Sequence, residues 1–171
     1  PEARAKEIFD WVMQLNLQFR KIEKAGKPFV AAINGTALGG GLEVCLACHY
    51  RIATRDDSTR VGFPEVRLGI FPGFNGTARS IRQAGALAAM PVMLSGSMVR
   101  ASAARAMGLI DELVASPANL AWSARKAITQ RRRSKPVGGW RGLARQWPVR
   151  NLLVSKMRAE TAKKVRADHY P

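Results

Sequence analysis

The stretch from Lys27 to Cys48, KPFVAAINGTALGGGLEVCLAC, constrains this chain more than any other. Phe29-Val30-Ala31-Ala32-Ile33 is a short apolar run after Pro28, and it reads as a buried strand. Asn34-Gly35 turns the chain, and Leu42 to Cys48 reads as a buried helix. Three adjacent glycines, Gly39-Gly40-Gly41, open that helix against their propensity, so a close approach to the backbone is expected there. A helix N-terminus carries free N–H groups and a partial positive charge. It suits negative charge, including an oxyanion formed during a reaction. Glu43 sits just inside the start, where a carboxylate can move protons beside a polarised carbonyl. A plain packing joint, with Glu43 serving the helix dipole, explains this stretch equally well.

The flanking sequence predicts an α/β chain. Ile8, Val12, Leu15, Phe19 and Ile22 recur at helical steps, which predicts a helix over Glu2 to Lys24 ended by Ala25-Gly26-Lys27-Pro28. Tyr50 to Thr54 reads as a strand, Asp56-Asp57-Ser58 as a turn, and Arg60 to Phe63 as the second arm of a hairpin. Glu65 follows in an irregular segment among Phe63, Val66, Leu68 and Phe71. Apolar surroundings raise a carboxyl pKa and suit a proton donor, although an exposed loop carboxylate is the simpler reading of the residue alone. Thr77 is the expected N-cap of a short helix through Gln83. A helix over Ala86 to Leu94 must bend at Pro91 or begin late. Ala101 to Met107 reads as a helix closed by Gly108, and Leu109 to Val114 as extended.

Charge divides the chain. Of a net +16, residues 116–171 contribute 14 Lys+Arg against 2 Asp+Glu, and residues 1–115 contribute 14 against 10. This predicts a domain over 1–115 and a basic helical extension or linker over 116–171. The extension contains a basic helix over Trp122 to Arg133, a linker over Ser134 to Gly142, and a helix over Leu143 to Arg166. Val149, Leu152, Leu153 and Met157 are expected to pack on a protein surface with the bases facing solvent. Phosphate contacts to nucleic acid, or a membrane surface, are the rival use of those bases. Cys45 and Cys48 lie inside an apolar segment with no second Cys/His pair, so buried free thiols are expected and no metal site. No apolar run reaches membrane-spanning length and no signal peptide heads the sequence. Pro1 in place of Met suggests a processed chain or a piece of a longer one.

The motifs KPFVAAINGTALGGGLE, RIAT, GFPEVRLGIFPGFNGTAR and AMGLIDELV, in this order from about Glu7 to Val114, resemble the enoyl-CoA hydratase/isomerase (crotonase) superfamily. The variant GTALGGGLEVCLACHYRIAT is most similar to the hydratase domain of multifunctional fatty-acid β-oxidation α-subunits. The tail ending in HYP is similar to the linker toward a 3-hydroxyacyl-CoA dehydrogenase domain. The resemblance implies a partial spiral of ββα units followed by the basic helical linker. It implies hydration of trans-2-enoyl-CoA to 3-hydroxyacyl-CoA, with Glu43 activating water and Glu65 protonating C2. The Gly40 N–H would serve the thioester oxygen, and the backbone at Gly73 would help hold the water. Leu38, Gly39, Phe63 and Pro64 would line the substrate.

The resemblance further implies an acyl-CoA substrate and no cofactor in this chain, since NAD would belong to the absent dehydrogenase domain. It implies an oligomer or a thiolase-subunit partner in the full-length protein. Nucleic acid is disfavoured as a partner, and the tail leaves peripheral membrane contact open. The compartment implied is the cytoplasm, or the mitochondrial matrix in a eukaryote. A 3,2-enoyl-CoA isomerase is the nearest alternative, because that reaction can run on one carboxylate. Asn75 replaces a glycine of the family's GFGGTQR, a substitution that a positive φ tolerates. The family's N-terminal portion supplies the second oxyanion donor and much of the coenzyme A pocket. The isolated chain is therefore expected to be weakly active or inactive.

Overall fold

Among the described residues, two short sheets of three strands each carry the fold. The computed structural model describes residues 2–142 and 147–164. Strand β1 (Val30–Ile33) runs parallel to β3 (Tyr50–Thr54), and β3 parallel to β6 (Glu112–Val114). In the second sheet β2 (Ala37–Leu38) is parallel to β4 (Arg60–Gly62), which pairs antiparallel with β5 (Met98–Arg100). Helix α2 (Gly40–Ala47) connects β2 to β3. The order β1-β2-α2-β3-β4 thus places consecutive strands in different sheets and equivalent strands side by side. This is the winding of a ββα spiral, as the resemblance implied.

The expected hairpin of Tyr50–Thr54 with Arg60–Phe63 does not form, because β3 and β4 belong to different sheets. The turn between them is a corner. The Ser58 N–H donates to Asp56 Oδ1 at 2.7 Å, and the Thr59 N–H to the Asp56 carbonyl at 3.0 Å. Thr54 and Thr59 hydroxyls join across its base. β3 already has β1 and β6 on its two sides, so its successor can only pair in the other sheet.

Helix α1 (Glu2–Lys24) forms as its periodicity predicts, but Ile8 joins Phe9 and Trp11 in exposure, and only the C-terminal half meets the body. A 3-10 turn (Pro64–Leu68) leads to α3 (Gly76–Ala84) and α4 (Ala86–Ser95). Thr77 is not the cap of α3. Asn75 occupies that position at φ 68°, the left-handed conformation its side chain tolerates. Helix α4 begins at Ala86 and contains Pro91, so a late start is excluded. Helix α5 (Ala101–Met107) is closed by Gly108 at φ 96°. Leu42, Phe63, Leu109 and Ile110 centre the main core.

Helix α6 (Pro117–Thr129) buries Leu120 and Ala127 against Ile52 and Val114. The change of composition at residue 116 therefore coincides with no break in packing. Next along the chain, the Ser134 hydroxyl donates to Asp111 Oδ2 at 2.6 Å, and the Val137 N–H to the Arg82 carbonyl at 3.0 Å. The presumed linker over 134–142 is thus stapled to the body at its start, and it holds the short helix α7 (Gly139–Gly142). Helix α8 (Trp147–Lys164) follows. Its Val149 is half-buried, but Leu152 is 71% exposed rather than packed, and the side chains of Leu153 and Met157 lie outside the described residues.

One buried ion pair joins these pieces. Arg51 of β3 is fully buried, with Nη2 2.9 Å from Asp111 Oδ2 and Nε 2.8 Å from the Leu109 carbonyl. The Arg51 N–H donates to the same Asp111 oxygen at 2.8 Å. Removing one partner of such a pair strands a desolvated charge. Asp111→Ala is expected to destabilise the chain by ~3–5 kcal/mol in urea unfolding. A loss below ~1 kcal/mol would place the pair among exposed ones of little consequence.

Candidate active site

Helix α2 starts on a backbone only glycine adopts easily. Gly39 has φ 53° and ψ −127°, and its N–H donates to the Gly62 carbonyl at 3.0 Å. A Cβ at Gly39 would lie 3.0 Å from Glu65 Oε1, so the absent side chain is what admits the carboxylate. Gly40 opens the helix, where an N–H has no intrahelical acceptor. Glu43 follows one turn later, 1% exposed.

The Glu43 carboxylate is held by a loop. Its Oε1 accepts the N–H groups of Phe74 and Gly76, both at 2.8 Å. Gly76 is required at that distance, because a Cβ there would come within 2.6 Å of Glu43 Cγ. Burial pushes the Glu43 pKa up; the two N–H bonds pull it back in part, and the nearby Glu65 charge raises it further. Glu65, the second residue of the 3-10 turn, is 9% exposed, and its Oε2 has no hydrogen-bond partner. An unpartnered carboxylate oxygen beside a second buried carboxylate is costly unless something else occupies the space.

The sequence-predicted residues fall into two groups. Gly39, Gly40, Glu43 and Glu65 come together at the start of α2. Leu38 ends β2 opposite Gly62, and Pro64 opens the 3-10 turn. Phe63 is fully buried in the core, backing Gly76. Gly73 lies at the head of the Glu43-holding loop and turns its carbonyl to Asn16 Nδ2 of α1 at 3.1 Å. The cysteines are free but half-buried, with burial pushing the Cys45 thiol up to about 11.

The residues that brace this loop were missed. Arg79 is buried, and its Nη1 donates to the Phe74 carbonyl while its Nε reaches Glu23 Oε1 of α1 at 2.8 Å. Phe19 stacks edge-on against Phe74, with ring centroids 5.6 Å apart, and its face lies under the Arg79 guanidinium. Burial alone would raise the Glu23 pKa, but hydrogen bonds from Arg79 and Arg20 more than reverse it, leaving it below the ordinary value. The one sequence signal for this brace is the arginine that ends GFNGTAR.

Two glutamates carried by successive turns of a ββα spiral, beside a glycine-started helix, define a crotonase-type α/β protein. The chain belongs to the enoyl-CoA hydratase/isomerase family, whose model matches residues 4–137. It is 36% identical over 161 residues to a fatty acid oxidation complex subunit alpha of Shewanella sp. strain MR-4, covering 91% of this chain and 22% of that protein. The subunit alpha of Psychrobacter cryohalolentis is 46% identical over 111 residues, covering 65% of this chain and 15% of that protein. The crystal structure of enoyl-CoA hydratase from Bacillus anthracis aligns with TM-score 0.67 at 33% identity, over 73% of this chain and 47% of that one. The chain thus spans about a fifth of the length of the oxidation-complex relatives it matches.

The raised Glu43 pKa carries a sign. The folded chain keeps this proton to higher pH than the unfolded chain, so stability falls as pH rises from the ordinary carboxylate value through the folded one. Glu43→Gln keeps an acceptor for Phe74 and Gly76 and removes the titration. The variant is expected to show a flatter pH–stability curve in urea unfolding and to equal or exceed the parent at neutral pH. An unchanged slope would assign that titration to another group.

Proposed function

We propose that this chain carries the hydration chemistry of fatty-acid β-oxidation, adding water across the C2–C3 double bond of a 2-enoyl-CoA thioester. The observation that supports it is the buried pair: Glu43 anchored through one oxygen, and Glu65 with an oxygen left unpartnered. Negative charge develops on the thioester oxygen as C3 is attacked, and the Gly40 N–H at the start of α2 is the donor this chain offers it. Glu43 takes a proton from water as the hydroxyl bonds to C3, and Glu65 delivers a proton to C2. The Gly73–Gly76 loop sets the Glu43 carboxylate and helps hold the water. Leu38, Gly39 and Pro64 shape the acyl side, and Phe63, buried in the core, backs the Gly76 turn instead of lining the substrate.

The reaction moves only water and protons, so the reading needs no cofactor in this chain. The relatives named as fatty acid oxidation complex subunits support placing the chemistry within a larger assembly; an oligomer or a thiolase subunit is the partner proposed for the full-length protein. A cytoplasmic or matrix setting is proposed from the family resemblance alone; among the described residues no helix is long and apolar enough to cross a membrane. Two buried carboxylates favour hydration over 3,2-isomerisation, which needs one.

The assay is the loss of enoyl-thioester ultraviolet absorbance, run on this chain and on a longer protein that carries it. In the longer protein Glu43→Gln and Glu65→Gln are each expected to lower the rate by about 10²–10⁴. The chain alone is expected to be a weak hydratase. Rates unchanged by both substitutions would remove the assignment, and 3-enoyl isomerisation that survives one of them would favour the isomerase.

A further inference from the structure

A polar cavity of about 210 Å³ lies at the C-terminal end of α2, apart from Glu43 and Glu65. Arg20, Arg79, Arg82 and Arg133 line it, against one carboxylate, Glu23. Glu23 is already taken: it accepts Arg20 at 2.7 Å and Arg79 at 2.8 Å. Arg82 and Arg133 pair with no carboxylate among the described residues. Positive charge in this cavity is therefore in excess.

The wall adds uncharged donors. His49 is 8% exposed, and its Nδ1 accepts the Phe29 N–H at 3.0 Å, so the proton resides on Nε2. The Glu23 backbone carbonyl lies near the ring as a weak acceptor, but no bond to Nε2 of proper geometry forms, so a guest competes with that carbonyl for the Nε2 proton. Gln83 Oε1 is likewise buried and unpartnered, and a half-turn of its amide exchanges that acceptor for a donor. Buried polar atoms left open in two neighbouring side chains mark space for a polar guest.

We propose that this cavity binds a small phosphate, held by Arg82 and Arg133 with the His49 Nε2–H. Phosphate matches the donors better than a carboxylate does. It carries more charge and more acceptor oxygens, and guanidinium forks engage it in pairs. The site needs none of the hydration chemistry, so the two assignments stand or fall separately. Arg79 borders both, since it also holds the Phe74 carbonyl.

The test is titration of the 171-residue chain with inorganic phosphate at constant ionic strength, read by calorimetry and by the His49 imidazole NMR signals. Saturable one-to-one binding that shifts the His49 resonances is expected, with a melting temperature that climbs with ligand as linkage requires. Arg82→Gln and Arg133→Gln, both exposed residues whose folding circular dichroism checks, should each weaken binding by roughly tenfold or more. Arg100→Gln, whose guanidinium meets Asp57 at 3.5 Å instead, should leave it unchanged. Absence of saturation, an unmoved His49, or equal weakening by Arg100→Gln would overturn the site in favour of diffuse attraction to a +16 chain. Acetate binding as tightly as phosphate would overturn the choice of ligand.

Discussion

The two N–H groups of Phe74 and Gly76 on Glu43 Oε1 are the contact on which the rest of the site depends. A carboxylate this deeply buried has lost its water, and only donors fixed in the backbone compensate it without bringing a counter-charge. Those donors come from a loop, and loops are held in place only by what packs on them. Here α1 supplies the hold through Asn16 on the Gly73 carbonyl, Phe19 on the Phe74 ring, and Glu23 on Arg79. A helix with an exposed N-terminal half is thereby tied by its other half to the orientation of a buried acid.

Much of this was legible in the residues because the signals were local. The apolar run before Asn34-Gly35 gave β1, and the heptad-like steps of α1 gave its extent. The glycine triplet marked the close approach of Glu65 to Gly39, and Asn75 took up the positive φ its side chain suggested. Of the second sheet only β4 was legible as a strand, within Arg60 to Phe63, and its pairing was not. The strands β2 and β5 are two and three residues long, too short for alternation to register, and the partners of β4 lie far along the chain. The hairpin failed for the same reason: a turn motif shows that the chain turns, while only the occupancy of β3's two edges shows where it goes.

The brace on the loop was hidden for a different reason. Arg79 and Glu23 are 56 positions apart, and nothing about either residue alone distinguishes a buried brace from a solvated charge. Charge counting has the same blindness in the tail. The basic composition from residue 116 reads as an appendage, yet α6 carries core residues on one face and bases on the other. Leu152 shows the converse, an apolar residue at helical spacing that remains exposed.

The hold of Ser134 on Asp111 bears on how this chain can be divided. Asp111 Oδ2 receives Arg51 from β3 and the Ser134 hydroxyl from beyond α6, so one oxygen closes a loop through both. A protein cut where the composition changes would lose Leu120 and Ala127 from the sheet and a hydrogen bond from its buried ion pair at once. The smallest piece that keeps these intact runs through Val137, whose N–H rests on the Arg82 carbonyl. For anyone dissecting the molecule, the useful seam is the glycine pair Gly138-Gly139 and not the place where the charge begins.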